Sequence, residues 1–136
     1  MTVELITPEG MFQPVPYHHV AIGTGSRLIQ MAGQVARDGA GGHVATGDLA
    51  GQIAHVLRSA GRGLAGAGAT FADVTRLRFY IVDWSPAKSA AFGAGLAAVA
   101  AELALPEPLP PITLIGVQAL FEPDALVELE VDAVLA

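Results

Sequence analysis

The sequence predicts an α+β fold: a mixed β-sheet carrying two helices on one face. Three observations lead to it. Residues 74–82 alternate between apolar and polar side chains, residues 49–64 repeat apolar side chains at helical spacing, and the chain ends in two further strand-like segments. Strands alternating with helices, and closing on a strand pair, pack as a helical layer on a sheet.

Each element follows from its residues. Residues 1–14 form an N-terminal segment. His19 to Ile22 and Arg27 to Gln34 read as two strands, and Gly23-Thr24-Gly25-Ser26 between them reads as a turn-rich hairpin connection. Arg37 to Gly47 is a loop with four glycines. Asp48 can cap a helix, because its side-chain oxygen accepts from backbone N–H groups that have no partner in the first turn. Leu49, Ile53, Val56, Ala60 and Leu64 then mark one helical face, and Gly61, Gly63, Gly66 and Gly68 loosen and stop that helix. In Val74 to Val82, period two sends Leu77, Phe79 and Ile81 one way and Arg76, Arg78 and Tyr80 the other. A turn at Asp83-Trp84-Ser85-Pro86 leads to a second helix on Phe92, Leu96, Val99 and Leu103, with Pro86 suited to its first turn. Pro106 to Pro111 holds four prolines and can be neither helix nor central strand. Ile112 to Val117 and Leu126 to Leu135 are the last strands, parted by a Pro123-Asp124 turn. The order is ββ-α-β-α-ββ, with no repeat and no linker, so residues 1–136 are expected to form a single domain.

Composition narrows the partners. Of 136 residues, 52% are hydrophobic and 15% charged, against about 25% charged in an average domain. So little polar covering points to an oligomer, whose neighbouring subunits cover the open face of the sheet. The net charge is −6, and Arg27, Arg37, Arg58, Arg62, Arg76, Arg78 and Lys88 make no run. A nucleic-acid surface needs clustered positive charge, so no nucleic-acid partner is expected. There is no cysteine, hence no disulfide and no thiolate chemistry. Met1 to Gln13 lacks the basic start of a signal peptide. Ala90 to Leu105 is broken by Gly93, Gly95 and Glu102, and is shorter than the roughly 20 residues a membrane helix needs. A soluble cytoplasmic protein without a membrane partner is the expectation.

Four segments, in order, resemble the RidA/YjgF family. They are Pro16-Tyr17-His18-His19-Val20; Met31-Ala32-Gly33-Gln34; Ala65 to Val74 followed by Phe79-Tyr80-Ile81-Val82-Asp83; and Leu126-Val127-Glu128-Leu129-Glu130-Val131. The likeness covers about residues 15 to 135. It implies a chorismate-mutase-like homotrimer with ligand clefts between subunits. Active members of the family carry Pro-x-Arg-Ser/Thr at the start of the strand that here begins Pro110-Pro111-Ile112-Thr113. Ile112 therefore stands where the family keeps an arginine to hold a substrate carboxylate. A guanidinium grips both carboxylate oxygens at once, and isoleucine offers neither donor nor charge. No Arg or Lys follows Lys88, so no shift of alignment restores it.

Matching the family's cleft gives Tyr17, Ile112 and Thr113 as substrate-binding candidates and Glu128 as the catalytic candidate. A carboxylate in a cleft can serve as general base or position a water. The same Glu128 also reads as one of three acids, with Glu130 and Asp132, on the wet face of the last strand; both readings stand. Tyr17 either offers its hydroxyl to a ligand or anchors the chain with its ring. Trp84 reads equally as a cleft wall or as helix packing. No metal is expected. His18 and His19 are adjacent and point opposite ways, His55 has no H-x-x-x-H partner, and alternate carboxylates on a strand lie about 7 Å apart. Nor is a cofactor expected, since Gly23-Thr24-Gly25 lacks the third glycine and the following helix of a dinucleotide fingerprint. Ser26, Ser59, Ser85 and Ser89 have no nucleophile-elbow context. The expected function is binding of a small neutral or amine-bearing metabolite. Catalysis, if present, is hydrolysis or tautomerisation of an imine or enamine by a route other than arginine-dependent 2-iminoacid deamination. The alternative is a non-catalytic ligand-binding or regulatory trimer.

Overall fold

Apolar residues at period two in the strands and at period 3.6 in the helices set the elements of residues 2–136, which the computed structural model describes. In chain order they are β1 (Val3–Ile6), β2 (Val20–Gly23), β3 (Arg27–Gln34), α1 (Leu49–Gly66), β4 (Val74–Val82), α2 (Ser89–Val99), β5 (Ile112–Val117) and β6 (Val127–Leu135). Short 3₁₀ turns at Phe71–Asp73 and Pro86–Lys88 lead into β4 and α2. Four strands form the main sheet in the order β3-β6-β4-β5, with β4 and β5 parallel and the other pairs antiparallel. The fold is thus α+β with two helices on a mixed sheet.

The alternation in β4 sorts its two faces. Leu77, Phe79 and Ile81 are fully buried, as are Val127 and Leu129 opposite them on β6. Ile53, Val56, Leu57, Ala60 and Leu64 of α1 close this core from above. Burying each large apolar side chain contributes about 1.5–3 kcal/mol. Asp48 caps α1 by accepting from the Gly51 N–H at 3.0 Å. Gly95 lets α2 lie directly on α1: a Cβ there would come within 2.6 Å of Ile53 and 2.8 Å of the Ala50 carbonyl. Gln52, buried among these apolar groups, donates to the Ala45 and Asp124 carbonyls at 3.3 and 3.0 Å and accepts from the Leu126 N–H at 2.9 Å. It ties the loop before α1 to the loop before β6.

Two expectations are corrected. β2 and β3 do not pair as a hairpin. β2 pairs with β1, in the register Val3↔Gly23 to Ile6↔Val20, and the two make a separate ribbon. The reason lies at Gly23, which packs onto the main sheet: a Cβ there would meet Val134 at 3.0 Å and Thr75 at 3.2 Å. That contact carries the ribbon toward the ends of β4 and β6, away from the β3 edge. The N-terminal segment, to which the sequence alone assigned no element, therefore supplies a strand. The second helix also ends earlier than its apolar spacing implied. α2 stops at Val99, and Leu103 lies beyond it in a closing turn. There Ala104 takes a left-handed φ of 48°. Its N–H donates to the Ala101 carbonyl at 3.2 Å and the Leu105 N–H donates to Ala100 at 3.0 Å. This is the paired bonding that ends helices.

Candidate functional site: an apolar hollow at the sheet edge

β5 is an edge strand, and its two faces lead to different places. Ile112 and Leu114 point toward the helices, and Thr113 and Ile115 point to the open face. The chain entering β2 is drawn to this edge by backbone bonds. The His18 N–H donates to the Leu109 carbonyl at 2.8 Å, and the Leu109 N–H donates to Pro16 at 3.0 Å. Tyr17 is thereby fixed opposite Leu109. Its ring meets that of His19 edge-on, with centroids 5.3 Å apart. His19 Nε2 in turn bonds the Phe12 carbonyl at 2.8 Å, and His18 Nδ1 faces the Thr7 hydroxyl at 3.4 Å. Both histidines thus serve the approach segment.

Between this segment and α2 lies a hollow of about 270 Å³ lined by Pro16, Tyr17, Phe92, Leu96, Leu109, Ile112 and Leu114. A second hollow of about 280 Å³ shares Pro16, Leu96 and Leu109 and continues past Leu105 to Glu107. Seven residues line the first hollow and none is charged; the Tyr17 hydroxyl is the one polar side-chain group among them. Two sequence candidates, Tyr17 and Ile112, are therefore brought together. Phe92, Leu96, Leu109 and Leu114 join them. Phe92 and Leu96 were legible only as a helix face, and Leu109 sits in a proline-rich stretch without periodicity.

The other two candidates lie elsewhere. Thr113 and Glu128 are on the open face of the sheet, and Glu128 stands opposite Tyr80 on β4. The Glu128 carboxylate lies over Gly33 of β3, at a spot that any side chain at 33 would occupy. Among the described residues it has no hydrogen-bond partner. The partnered acid is its neighbour on the same face, Glu130. Glu130 accepts from the Tyr80 hydroxyl and, at 3.4 Å, from Arg78. The tyrosine hydrogen bond, helped by Arg78, lowers the Glu130 carboxyl from its ordinary value, and the same bond raises the Tyr80 phenol against the opposing pull of Arg78. Arg78 is thus committed to the open face and does not enter the apolar hollow. Trp84 lines neither hollow; it packs over Gly116 of β5, where a Cβ would come within 2.9 Å of its own.

Among the described residues no group of three or more His, Asp or Glu could hold a metal ion, and no helix is long and apolar enough to cross a membrane.

Comparison with known proteins adds the lineage. A family model described as endoribonuclease L-PSP matches residues 12–135. No curated protein matches the chain. Among solved structures, a protein of unknown function of the conserved Rid family, YyfB from Yersinia pestis, is 39% identical with a TM-score of 0.88; the match covers 99% of this chain and 100% of that one. Rv2704 from Mycobacterium tuberculosis, a member of the YjgF/YER057c/UK114 family, is 25% identical over 98% of this chain and 99% of its own, with a TM-score of 0.61. Escherichia coli TdcF, solved with bound serine, shares the fold at 20% identity and a TM-score of 0.69, over 98% of this chain and 99% of its own. By the family model and by the Yersinia relative, this chain belongs to the RidA/YjgF family.

Proposed function

We propose that the chain forms a homotrimer whose clefts bind a small neutral or amine-bearing metabolite, without the arginine-dependent deamination of 2-iminoacids. The observation that carries this reading is the uncharged lining of the hollow built by Tyr17 and Ile112. A carboxylate placed there would lose its hydration and find no cation. An unpaired ion in such surroundings costs several kcal/mol. The extension of the hollow ends at Glu107, which favours an amine at that end.

Two features support the trimer. The open face of the sheet exposes Leu28 at 79% and Ile115 at 39%, and apolar side chains of this size in a sheet face gain by being covered. The hollow also sits on an edge strand, where a neighbouring sheet face can approach it. In that arrangement Glu128 of the partner subunit completes the hollow of the next. Catalysis on this reading is hydrolysis or tautomerisation of an imine or enamine. Water adds across the C=N bond, and Glu128 of the partner subunit takes its proton and returns it to nitrogen to give a carbinolamine; the hydroxyl proton then passes to nitrogen by the same carboxylate as the C–N bond breaks, leaving a carbonyl and an amine. Tyr17 orients the substrate together with Thr113 of the partner subunit, which shares the face of Glu128. The separation of Glu128 from Tyr17 and Ile112 within one chain favours a second reading, a trimer that binds and regulates without turnover. The ribonuclease named in the family model's description suits this chain poorly, because its seven basic residues are scattered over a chain of net charge −6.

The test is calorimetric titration with pyruvate and with its neutral amide, alongside native mass measurement. The expected result is a trimer that binds the amide and not the acid. Saturable micromolar binding of pyruvate would sink the reading. Glu128→Ala separates its two branches: an enzyme loses turnover by about 10²–10⁴-fold, whereas a binding trimer keeps its ligand affinity.

A further inference from the structure

The C-terminal half of α1 has a third hollow beside it that the reading above does not use. It encloses about 400 Å³, within the size range of small-molecule sites, and its lining includes Arg58, Gly61, Arg62, Phe71, Glu102 and Leu103. Its floor is core: Leu64 is fully buried, and Phe71 and Ala69 are 3% and 5% exposed. Gly61 keeps the floor open, since a Cβ there would stand 3.2 Å from Leu103 and 3.6 Å from Phe71.

The rim is charged. Arg58 and Arg62 are four residues apart on one helix and so share a face. Arg58 grips Glu102 in a two-pronged contact, Nε to Oε2 at 3.0 Å and Nη2 to Oε1 at 2.8 Å. That fork lowers the Glu102 carboxyl and raises the Arg58 guanidinium. The pair cancels in charge. Arg62 has no ion-pair partner among the described residues. The hollow therefore carries one uncompensated positive charge above an apolar floor, in a chain whose net charge is −6.

We propose that this hollow is a second ligand site, taking an organic monoanion with a compact ring or branched apolar body. The anionic group binds the Arg62 guanidinium, whose fork of N–H donors suits a planar or tetrahedral oxyanion. The body lies along Gly61 and covers Leu103 and Phe71. The Arg58–Glu102 pair is neutral in sum and offers no second free cation, so a dianion gains nothing over a monoanion. The site stands apart from the Tyr17–Ile112 hollow: the two prefer opposite ligands, an anion here and a neutral or cationic molecule there.

The full chain, labelled with ¹⁵N, is titrated with benzenesulfonate, which stays anionic across the accessible pH range, and with neutral benzenesulfonamide. The expected result is saturable amide shifts centred on Gly61, Ala65 and Thr70 with the sulfonate, and binding about tenfold weaker with the sulfonamide. Arg62→Gln, a change at an exposed position, weakens the sulfonate by a similar factor. Ala65→Trp fills the hollow and removes the shifts while the circular dichroism stays native. Sulfonate shifts that do not saturate, that centre on Tyr17 and Leu114, or that persist unchanged in Arg62→Gln overturn the proposal. The glutamine variant decides the matter if the tryptophan variant does not fold.

Discussion

Two hollows flank the turn that ends α2, and they are built on opposite terms. The hollow beside α1 has a charged rim and a floor cut from the core, where Leu64 is wholly buried. The hollow beside β5 has no charge, and its walls Tyr17, Leu96, Ile112 and Leu114 are each only half-buried. Residues 103–105 divide them: Leu103 faces one hollow and Leu105 the extension of the other. On the function proposed above, the second hollow takes its cover from a neighbouring subunit, whereas the floor of the first comes from the core of its own chain. A wall that one chain leaves half-exposed contributes little to the stability of that chain and much to what docks on it.

The largest expected effect tests this contrast with one substitution made twice. Leu64→Ala removes a fully buried side chain and should cost about 2–5 kcal/mol in urea unfolding. Leu96→Ala, at a half-buried wall, should cost roughly 1 kcal/mol in a dissociated chain, because less area leaves water there on folding. If subunits cover the hollow, the Leu96→Ala penalty grows with protein concentration while the Leu64→Ala penalty does not change. Equal and concentration-independent costs at both positions would break the distinction.

A second change acts on ligand preference rather than on packing. Ile112→Arg puts a permanent cation into the uncharged hollow, and the long stem can lie along Leu109 and Leu114 with its head at the mouth. Titration should then show the order of pyruvate and its amide inverted, by about tenfold or more for a charge-assisted pair. An unchanged preference for the amide would mean that some group other than residue 112 sets the polarity of the hollow.

Much of this architecture was legible in the residues, and the failures have physical causes. β4 and α1 were plain because period two and period 3.6 are local signals, and Asp48 marked the helix start to the residue. Strand partners are not local. Period two says which face a side chain takes and never which strand lies beside it, so β2 was given the nearest strand instead of β1, some twenty residues back. The candidate site shows the same limit. Ile112 and Thr113 are neighbours on a strand and must point to opposite faces, so one cleft of one chain could not hold both. That Glu128 shares the face of Thr113 depends on the register of β6 against β4, with Tyr80 opposite Glu128, and the sequence does not carry that register. The charged hollow was missed because basic residues were sought as runs along the chain. Arg58 and Arg62, four apart on a helix, are neighbours in space without being neighbours in sequence.

The smallest effect lies at the pivot between the hollows. Ala104 holds a left-handed φ of 48° to close the turn after α2, a position where helices ordinarily place glycine. An L-residue there bears about 1–2 kcal/mol of crowding between its Cβ and the following carbonyl. Glycine removes that crowding but loses more freedom on folding, by about 0.5–1 kcal/mol. Ala104→Gly should therefore raise stability by a net ~0.5–1 kcal/mol, read as a higher urea midpoint with an unchanged slope. Ala104→Val should lower it, because a branched Cβ fits the left-handed region least. Neither change should alter ligand preference in either hollow, since the backbone path that sends Leu103 and Leu105 apart is kept. A loss of stability in the glycine variant would mean that the turn is not left-handed in solution, and that the two hollows are not divided in the way their linings suggest.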